Sequence, residues 1–169
     1  MMKAFQMLEK VMRREDAVSR LAIQNLLKLV IPFNIPHGFH LRTLSAEEVR
    51  IDLPNNKFNH NHLGGMHACA IATLGEFCAG LTLARHLGLS RYRFILAELQ
   101  VKYHMQGRTK LTGVAQLNEE RAEEIRQRLL TEDQLLFEHH TEITNVHGEK
   151  VAEVRSVWQV KDWQKVRLK

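Results

Sequence analysis

The chain has 169 residues, of which 44% are apolar, and this is enough for one domain with a sizeable core. Its net charge of +5 favours an anionic partner, but no aromatic residues are interleaved with the basic ones, so we expect a small phosphate-bearing ligand or a solvated basic surface and no nucleic acid. The first ten residues carry charges where a signal peptide has its apolar centre, and no stretch approaches the run of about 20 apolar residues that a membrane span requires. These features predict a soluble cytoplasmic protein without a transmembrane segment.

The first thirty residues repeat apolar side chains with helical spacing, and Pro32 and Pro36 end the pattern. The basic polar face of this segment is typical of a helix that lies on a membrane surface. Acidic residues dilute that positive face, so the sequence favours a helix that packs on its own domain or on a dimer partner. These acidic residues are Glu9, Glu15 and Asp16.

After the prolines the hydrophobic period becomes alternating, which indicates strands. A hairpin is predicted from His40–Leu44 and Val49–Leu53, and a surface helix capped by Asn118, with no chemistry of its own, is predicted at 118–130. Four longer strands are predicted at residues 94–105, 109–117, 135–145 and 151–160.

The most apolar stretch runs from Met66 to Ala84, and Glu76 is its only charged residue. A helix that is apolar on nearly every face must be enclosed by protein, and an ionised group there is costly unless it is paired or used. A structural role, in which Glu76 bonds to Thr73 or pairs with a basic residue of the sheet, remains open. We favour a catalytic role because no local cation is visible.

The residues before this helix supply an amide, an imidazole and a glycine pair, including Asn61, Gly65 and His67. The first backbone N–H groups of a helix have no intrahelical partner and suit a developing oxyanion. The alternatives are that Asn61 is a turn amide and that His67 bonds to the backbone.

Cysteine and histidine residues suggest neither a disulfide nor a metal site. Cys69 and Cys78 lie about 13 Å apart on one helix, so they cannot be bridged, and we expect both to be buried packing residues. His139 and His140 are adjacent on a strand, where they point to opposite faces. We therefore expect no metal.

The order of these elements predicts an α+β fold in which an antiparallel sheet wraps around one long central helix. This order, together with the spacing of Asn61, His67 and Glu76, resembles the hotdog fold and, more narrowly, the acyl-CoA thioesterases of its PaaI-like branch. The chain is also similar to less-studied hotdog proteins assigned only as candidate thioesterases. We expect an N-terminal helical extension at residues 1–36 and a hotdog domain at 37–169.

The resemblance implies hydrolysis of an acyl-CoA thioester without a further cofactor. Glu76 would activate water or attack the carbonyl directly, Asn61 and His67 would complete the catalytic set, and substrate-binding positions are expected at Gly65, Ala68 and Thr73. The Ala68 N–H would bind the carbonyl oxygen. The chain has Ala68 and Cys69 where the family has two glycines.

Two alternatives stay open. His62 lies fourteen residues before Glu76, a spacing similar to that of hotdog 3-hydroxyacyl thioester dehydratases, although the proline-rich segment expected between the two residues is missing. A non-catalytic acyl-CoA-binding hotdog protein is the second alternative.

A two-fold related copy is needed because His67 and Glu76 are separated by about 13 Å of helix, whereas a general base must reach its target within about 3 Å. We therefore expect a homodimer, or a dimer of dimers (homotetramer), in which Glu76 of one copy faces Asn61 of the other.

Overall fold

The computed structural model describes residues 2–166, with side chains from residue 5 onward. Arg167 and Lys169, two basic residues that contribute to the positive net charge, lie outside the described residues. The helices are α1 (Met2–Met12), α2 (Ala17–Val30), α3 (Ala68–Leu87) and α4 (Glu119–Thr131). The strands are β1 (His40–Leu44), β2 (Glu48–Leu53), β3 (Tyr92–Tyr103), β4 (Leu111–Gln116), β5 (Leu135–Thr144) and β6 (Lys150–Asp162). Every predicted strand is present with small shifts of its bounds.

The six strands form one antiparallel sheet in the order β1-β2-β4-β5-β6-β3, and α3 packs across one face of it. This confirms the predicted α+β arrangement of a sheet around a long central helix. Strand β3 follows α3 in the chain but pairs only with the last strand, β6, among the described residues. It is therefore an edge strand, and it is twelve residues long.

Close contact between α3 and the sheet depends on glycine. A Cβ on Gly75 would overlap the side chain of Val154 on β6, and a Cβ on Gly113 of β4 would lie 2.9 Å from Cys78 Sγ. The side chains that α3 buries against the sheet are apolar apart from Thr82 and His86, so burial of apolar surface holds the helix in place.

The N-terminal extension is helical as predicted, but it consists of two helices. Asp16 interrupts the pattern because its carboxylate accepts hydrogen bonds from the Ser19 N–H (2.8 Å) and hydroxyl (2.7 Å), which starts a new helix. Both helices pack on the main domain, where α2 contacts β1 and α1 contacts α3.

Helix α4 matches its prediction: Asn118 caps it by accepting from the Arg121 N–H at 2.8 Å. Its buried stripe is Ala122, Ile125 and Leu129. Glu124 and Arg128 have the i,i+4 spacing that favours an ion pair on a helix, but they do not pair with each other; Glu124 pairs with Arg121, and Arg128 pairs with Glu132.

Helix α3 has 20 residues and a mean hydropathy of 1.2 over an 18-residue window, so by length and composition it could cross a membrane. The expectation that no stretch approaches a membrane span was therefore wrong by this criterion. Core helices of soluble proteins meet the same criterion, and 61% of that window is buried inside this protein. The absence of a transmembrane segment stays a prediction.

His139 lies in the core beneath α4 and is 4% exposed. Its Nε2 bonds to the Gln116 carbonyl at 3.1 Å, and its buried Nδ1 has no partner among the described residues. Burial lowers the pKa of His139 to about 4 from the ordinary 6.5.

We expect this histidine to destabilise the protein in acid. Between pH 6.5 and 4 the unfolded chain binds a proton that the folded chain does not, so the free energy of unfolding falls as pH falls, by up to about 3 kcal/mol. Denaturant titrations at several pH values should show that His139→Gln removes this component. His140→Gln, at the exposed neighbouring position, should leave it intact; equal pH dependence in both variants would contradict the assignment.

Candidate active site

One stripe of α3 is not covered by the sheet. It consists of small side chains with one carboxylate, at a spacing that places them on one helix face: Ala68, Cys69, Ala72, Thr73, Glu76 and Gly80. The helix is therefore not enclosed on every side within one chain. The open stripe is where a substrate or a second copy has access to Glu76.

Glu76 is the carboxylate of this stripe, and burial raises its pKa above the ordinary value. Among the described residues it has no hydrogen bond or ion pair. Thr73, the partner expected in a structural role, donates its hydroxyl to the Cys69 carbonyl at 2.8 Å instead. A half-buried carboxylate without a cation is suited to act as a base near neutral pH.

The start of α3 is held by side chains and backbone around His67. Its backbone N–H donates to the Asn59 carbonyl at 2.7 Å, and its Nδ1 accepts from the Cys69 N–H at 3.1 Å. His67 is thus the helix N-cap, which leaves its Nε2 for another contact. The Ala68 N–H has no acceptor among residues 2–166, and it is the first amide of a twenty-residue helix. It is the group that the sequence predicts as the oxyanion donor, and that role stays a prediction.

The side chain of Asn61 stabilises the loop that precedes α3. Its Oδ1 accepts from the N–H groups of Leu63 (2.9 Å) and Gly65 (3.2 Å). The turn between β5 and β6 has the same arrangement, because Asn145 Oδ1 accepts from His147 and Glu149 at 2.9 and 3.0 Å.

Each of these two loops also places a glycine with positive φ three residues after the asparagine, Gly64 (φ 75°) and Gly148 (φ 78°). Because the same side-chain geometry occurs in an ordinary hairpin turn, the turn explains Asn61 Oδ1. Asn61 Nδ2 donates to the Met66 carbonyl at 3.4 Å, so one of its two amide hydrogens is left for substrate. Its catalytic role stays a prediction.

Gly65 is buried, and its N–H is used by Asn61. A Cβ at this position would meet the Gln106 side chain, so Gly65 allows the segment after β3 to pack on the loop. Arg108 Nε donates to Gln106 Oε1 at 2.9 Å, which places a cation without an ion pair, among the described residues, beside this loop.

Asn59 and Tyr103 also position the site, and sequence reasoning missed them. Asn59 is fully buried and donates its amide to the carbonyls of His37 and Pro54, both at 2.9 Å, which anchors the segment that enters α3. Tyr103 donates its hydroxyl to the Ala68 carbonyl at 2.8 Å and so fixes the helix start to β3. An asparagine in a loop and a tyrosine in a strand carry no pattern that distinguishes them before the fold is known.

Within one chain the structure brings together Asn61, His67 and Ala68, but not Glu76. Eight residues of helix separate Ala68 from Glu76, or about 12 Å along the axis. The Ala68 N–H and the Glu76 carboxylate of one chain are therefore too far apart to act on the same carbonyl group.

The remaining candidates are placed as follows. Cys78 is buried as expected, and burial raises its pKa, but Cys69 is exposed, so the prediction that both cysteines are packing residues was wrong. His62, the candidate of the dehydratase alternative, is exposed in the turn before α3. Across residues 2–166 no three histidine, cysteine or acidic side chains converge in a way that could hold a metal ion.

Solved structures support the fold. A probable thioesterase of Pseudomonas aeruginosa, described as a protein of unknown function, is 24% identical, with a TM-score of 0.77 over 82% of this chain and 92% of that one. A thioesterase of Haemophilus influenzae is 14% identical, with a TM-score of 0.65 over 82% of this chain and 90% of its own. A mutant thioesterase of Pseudomonas aeruginosa is also 14% identical, with a TM-score of 0.65 over 82% of this chain and 93% of its own. These likenesses confirm the hotdog fold.

A search of the curated proteins finds no match to this chain. One sequence family, described as a domain of unknown function (DUF4442), matches residues 19–160 and so spans most of the chain, from within α2 to within β6. The chain belongs to the DUF4442 family.

Proposed function

We propose that this protein hydrolyses acyl thioesters, and acyl-CoA in particular. The observation that carries the proposal is Glu76, a carboxylate with a raised pKa and no cationic partner among the described residues, on the open stripe of α3. The structural neighbours named as thioesterases support the same reaction class. No further cofactor is required for this chemistry.

The chemistry follows from the groups at the two ends of the stripe. The thioester carbonyl oxygen accepts a hydrogen bond from the Ala68 N–H, which stabilises the negative charge of the tetrahedral intermediate. Glu76 takes a proton from a water molecule that attacks the carbonyl carbon, and the proton then passes to the departing thiolate as the C–S bond breaks. Direct attack by Glu76 would give an anhydride that water hydrolyses; the products are the same.

The two groups belong to different copies in this proposal. Strand β3 is a long edge strand whose exposed side chains include Ile95, Leu99 and Tyr103, and such an edge favours pairing with another strand. Pairing of β3 with β3 of a second copy places two α3 helices side by side in opposite directions, so that Ala68 of one copy approaches Glu76 of the other. The assembly is then a homodimer or a dimer of dimers.

A mixing experiment tests the shared site. Ala68→Pro, which lacks the amide hydrogen, and Glu76→Gln should each keep at most about 1% of wild-type activity alone. After the two are unfolded and refolded together, the mixture should recover about a quarter of wild-type activity, because half of the dimers are mixed and one site in each is intact. An active monomer in light scattering, or an inactive mixture in which mixed dimers are detected, would contradict the arrangement.

Recognition of coenzyme A is supported by Arg108, the cation beside the Gly65 loop. A panel of acyl-CoA chain lengths, with free thiol as the readout, tests the reaction itself. We expect turnover with at least one chain length, and Arg108→Gln should raise KM for acyl-CoA but not for the matching pantetheine thioester. Binding without turnover would instead support the non-catalytic alternative, and hydration of an enoyl thioester would support the dehydratase.

A further inference from the structure

We propose that the outer face of α2 docks this protein on membrane surfaces that carry anionic lipids. The inner face of α2 packs on the domain through Ser19, Ile23 and Leu27, as one of the two sequence-based alternatives predicted. The opposite face also carries exposed apolar side chains. Packing of the inner face on the domain therefore does not exclude contact of the outer face with a membrane surface. The inference does not depend on the reaction at Glu76.

The exposed apolar residues of α2 recur at intervals of three and four positions, which places them on one side of the helix. Val18, Leu21 and Leu29 are 79%, 59% and 80% exposed, and Ala22 and the polar Asn25 lie between them on the same face. Phe33 and Ile35, which follow the helix in the chain, are also 68% and 53% exposed. Several large apolar side chains exposed together on one helix are typical of a docking site.

The charges around this face are complementary to anionic headgroups. Five basic side chains described in α1, α2 and the turn between them form no ion pair among the described residues. They are Lys10, Arg13, Arg14, Arg20 and Lys28. Arg20 and Lys28 belong to α2 itself, whereas Arg13 lines a surface pocket with Glu9 and Glu119. Free cations beside an apolar helix face attract a negatively charged lipid surface.

The acidic residues of the segment are engaged by this chain. Glu9 accepts hydrogen bonds from the Ser90 N–H (2.5 Å) and hydroxyl (3.0 Å). Glu15 accepts from the Ala46 N–H at 2.9 Å and pairs with Arg85 at 3.3 Å, and Asp16 caps α2. Among the residues that the structure describes, only Glu15 is paired with a cation, whereas Glu9 and Asp16 accept from neutral groups and keep their negative charges. The positive charge of the segment is therefore diluted by these two carboxylates.

A second copy that pairs along β3 leaves this face open. Helix α2 packs on β1, and β1 and β3 are the two opposite edges of the sheet. The area that a β3-paired dimer would use is thus distinct from the outer face of α2, and a dimer would carry two such faces.

Sedimentation with vesicles tests the proposal. The full chain should bind phosphatidylcholine vesicles that contain phosphatidylserine at least about tenfold more tightly than pure phosphatidylcholine vesicles, and added salt should weaken the binding. Leu21→Glu should abolish binding. Leu130→Glu is the matched control, because Leu130 is also 59% exposed on a helix, and it should bind as wild type does.

Three results would overturn the proposal: no binding to either vesicle, equal loss of binding in Leu21→Glu and Leu130→Glu, or equal binding of Leu21→Glu and wild type. A fourth would replace it. If Leu21→Glu lowers the oligomeric state measured by light scattering, a second copy covers this face. Circular dichroism and the thermal midpoint show whether each variant is folded.

Discussion

Glu76→Gln is expected to lower the rate of thioester hydrolysis at least about 100-fold. Glutamine is nearly isosteric with glutamate, but it can neither accept a proton from water nor attack the carbonyl. The comparison is of kcat and kcat/KM for the best acyl-CoA of the panel. Glu47→Gln, which changes an exposed carboxylate in the turn after β1, should keep full activity. Full activity in Glu76→Gln would exclude a catalytic role for this residue.

Wild-type activity should also depend on pH in a defined direction. Because burial raises the pKa of Glu76 above its ordinary 4.5, kcat/KM should rise as pH increases through that raised value. The free energy of unfolding should change in the opposite direction, because the Glu76 carboxyl group binds its proton more tightly in the folded state than in the unfolded state. It should fall as pH rises from 4.5 through the pKa of Glu76 in the folded state. Glu76→Gln should thus be at least as stable as wild type at neutral pH. A variant that is stabilised there but fully active would mark Glu76 as a tolerated buried charge.

Ala68→Pro is expected to lower kcat by about 10² to 10³, the usual cost of losing one oxyanion donor. Proline removes the Ala68 N–H and is tolerated at the first position of a helix. The preceding residue, His67, has φ −68° and ψ 137°, which is the backbone region that a residue before proline prefers. The substitution therefore removes the donor without a change in the path of the chain.

Helix α2 supplies the matched control. Ala17 is also the first residue of its helix, and Asp16 before it has φ −80° and ψ 156°. Ala17→Pro should leave the thermal midpoint and the activity unchanged. If Ala68→Pro is folded and equally active, the oxyanion is bound elsewhere, and the second amide hydrogen of Asn61 Nδ2 becomes the next donor to test.

The sequence alone determined the secondary structure and the identity of the central helix. Strand β5 alternates buried and exposed side chains along its length, and this period of two is visible in the residues themselves. The apolar run around Glu76 identifies α3 in the same way, because a period or a run records how one segment is buried whatever its neighbours are. The same local patterns predict Asn118 as a helix cap but not Asp16, which in the sequence is only one acidic residue within a helical pattern.

Only the tertiary structure decided which polar and apolar groups are free to contact a substrate or a docking partner. The hydrogen bonds of Asn61, the exposed stripe beside Glu76 and the engagement of Glu9 by Ser90 each depend on segments that meet across the fold. The edge position of β3 likewise follows from its pairing with β6, whose partner residues lie about fifty to seventy positions later in the chain. Local pattern indicates that a residue is polar or apolar; whether a polar group is already satisfied depends on distant partners, and that availability is what chemistry and docking require.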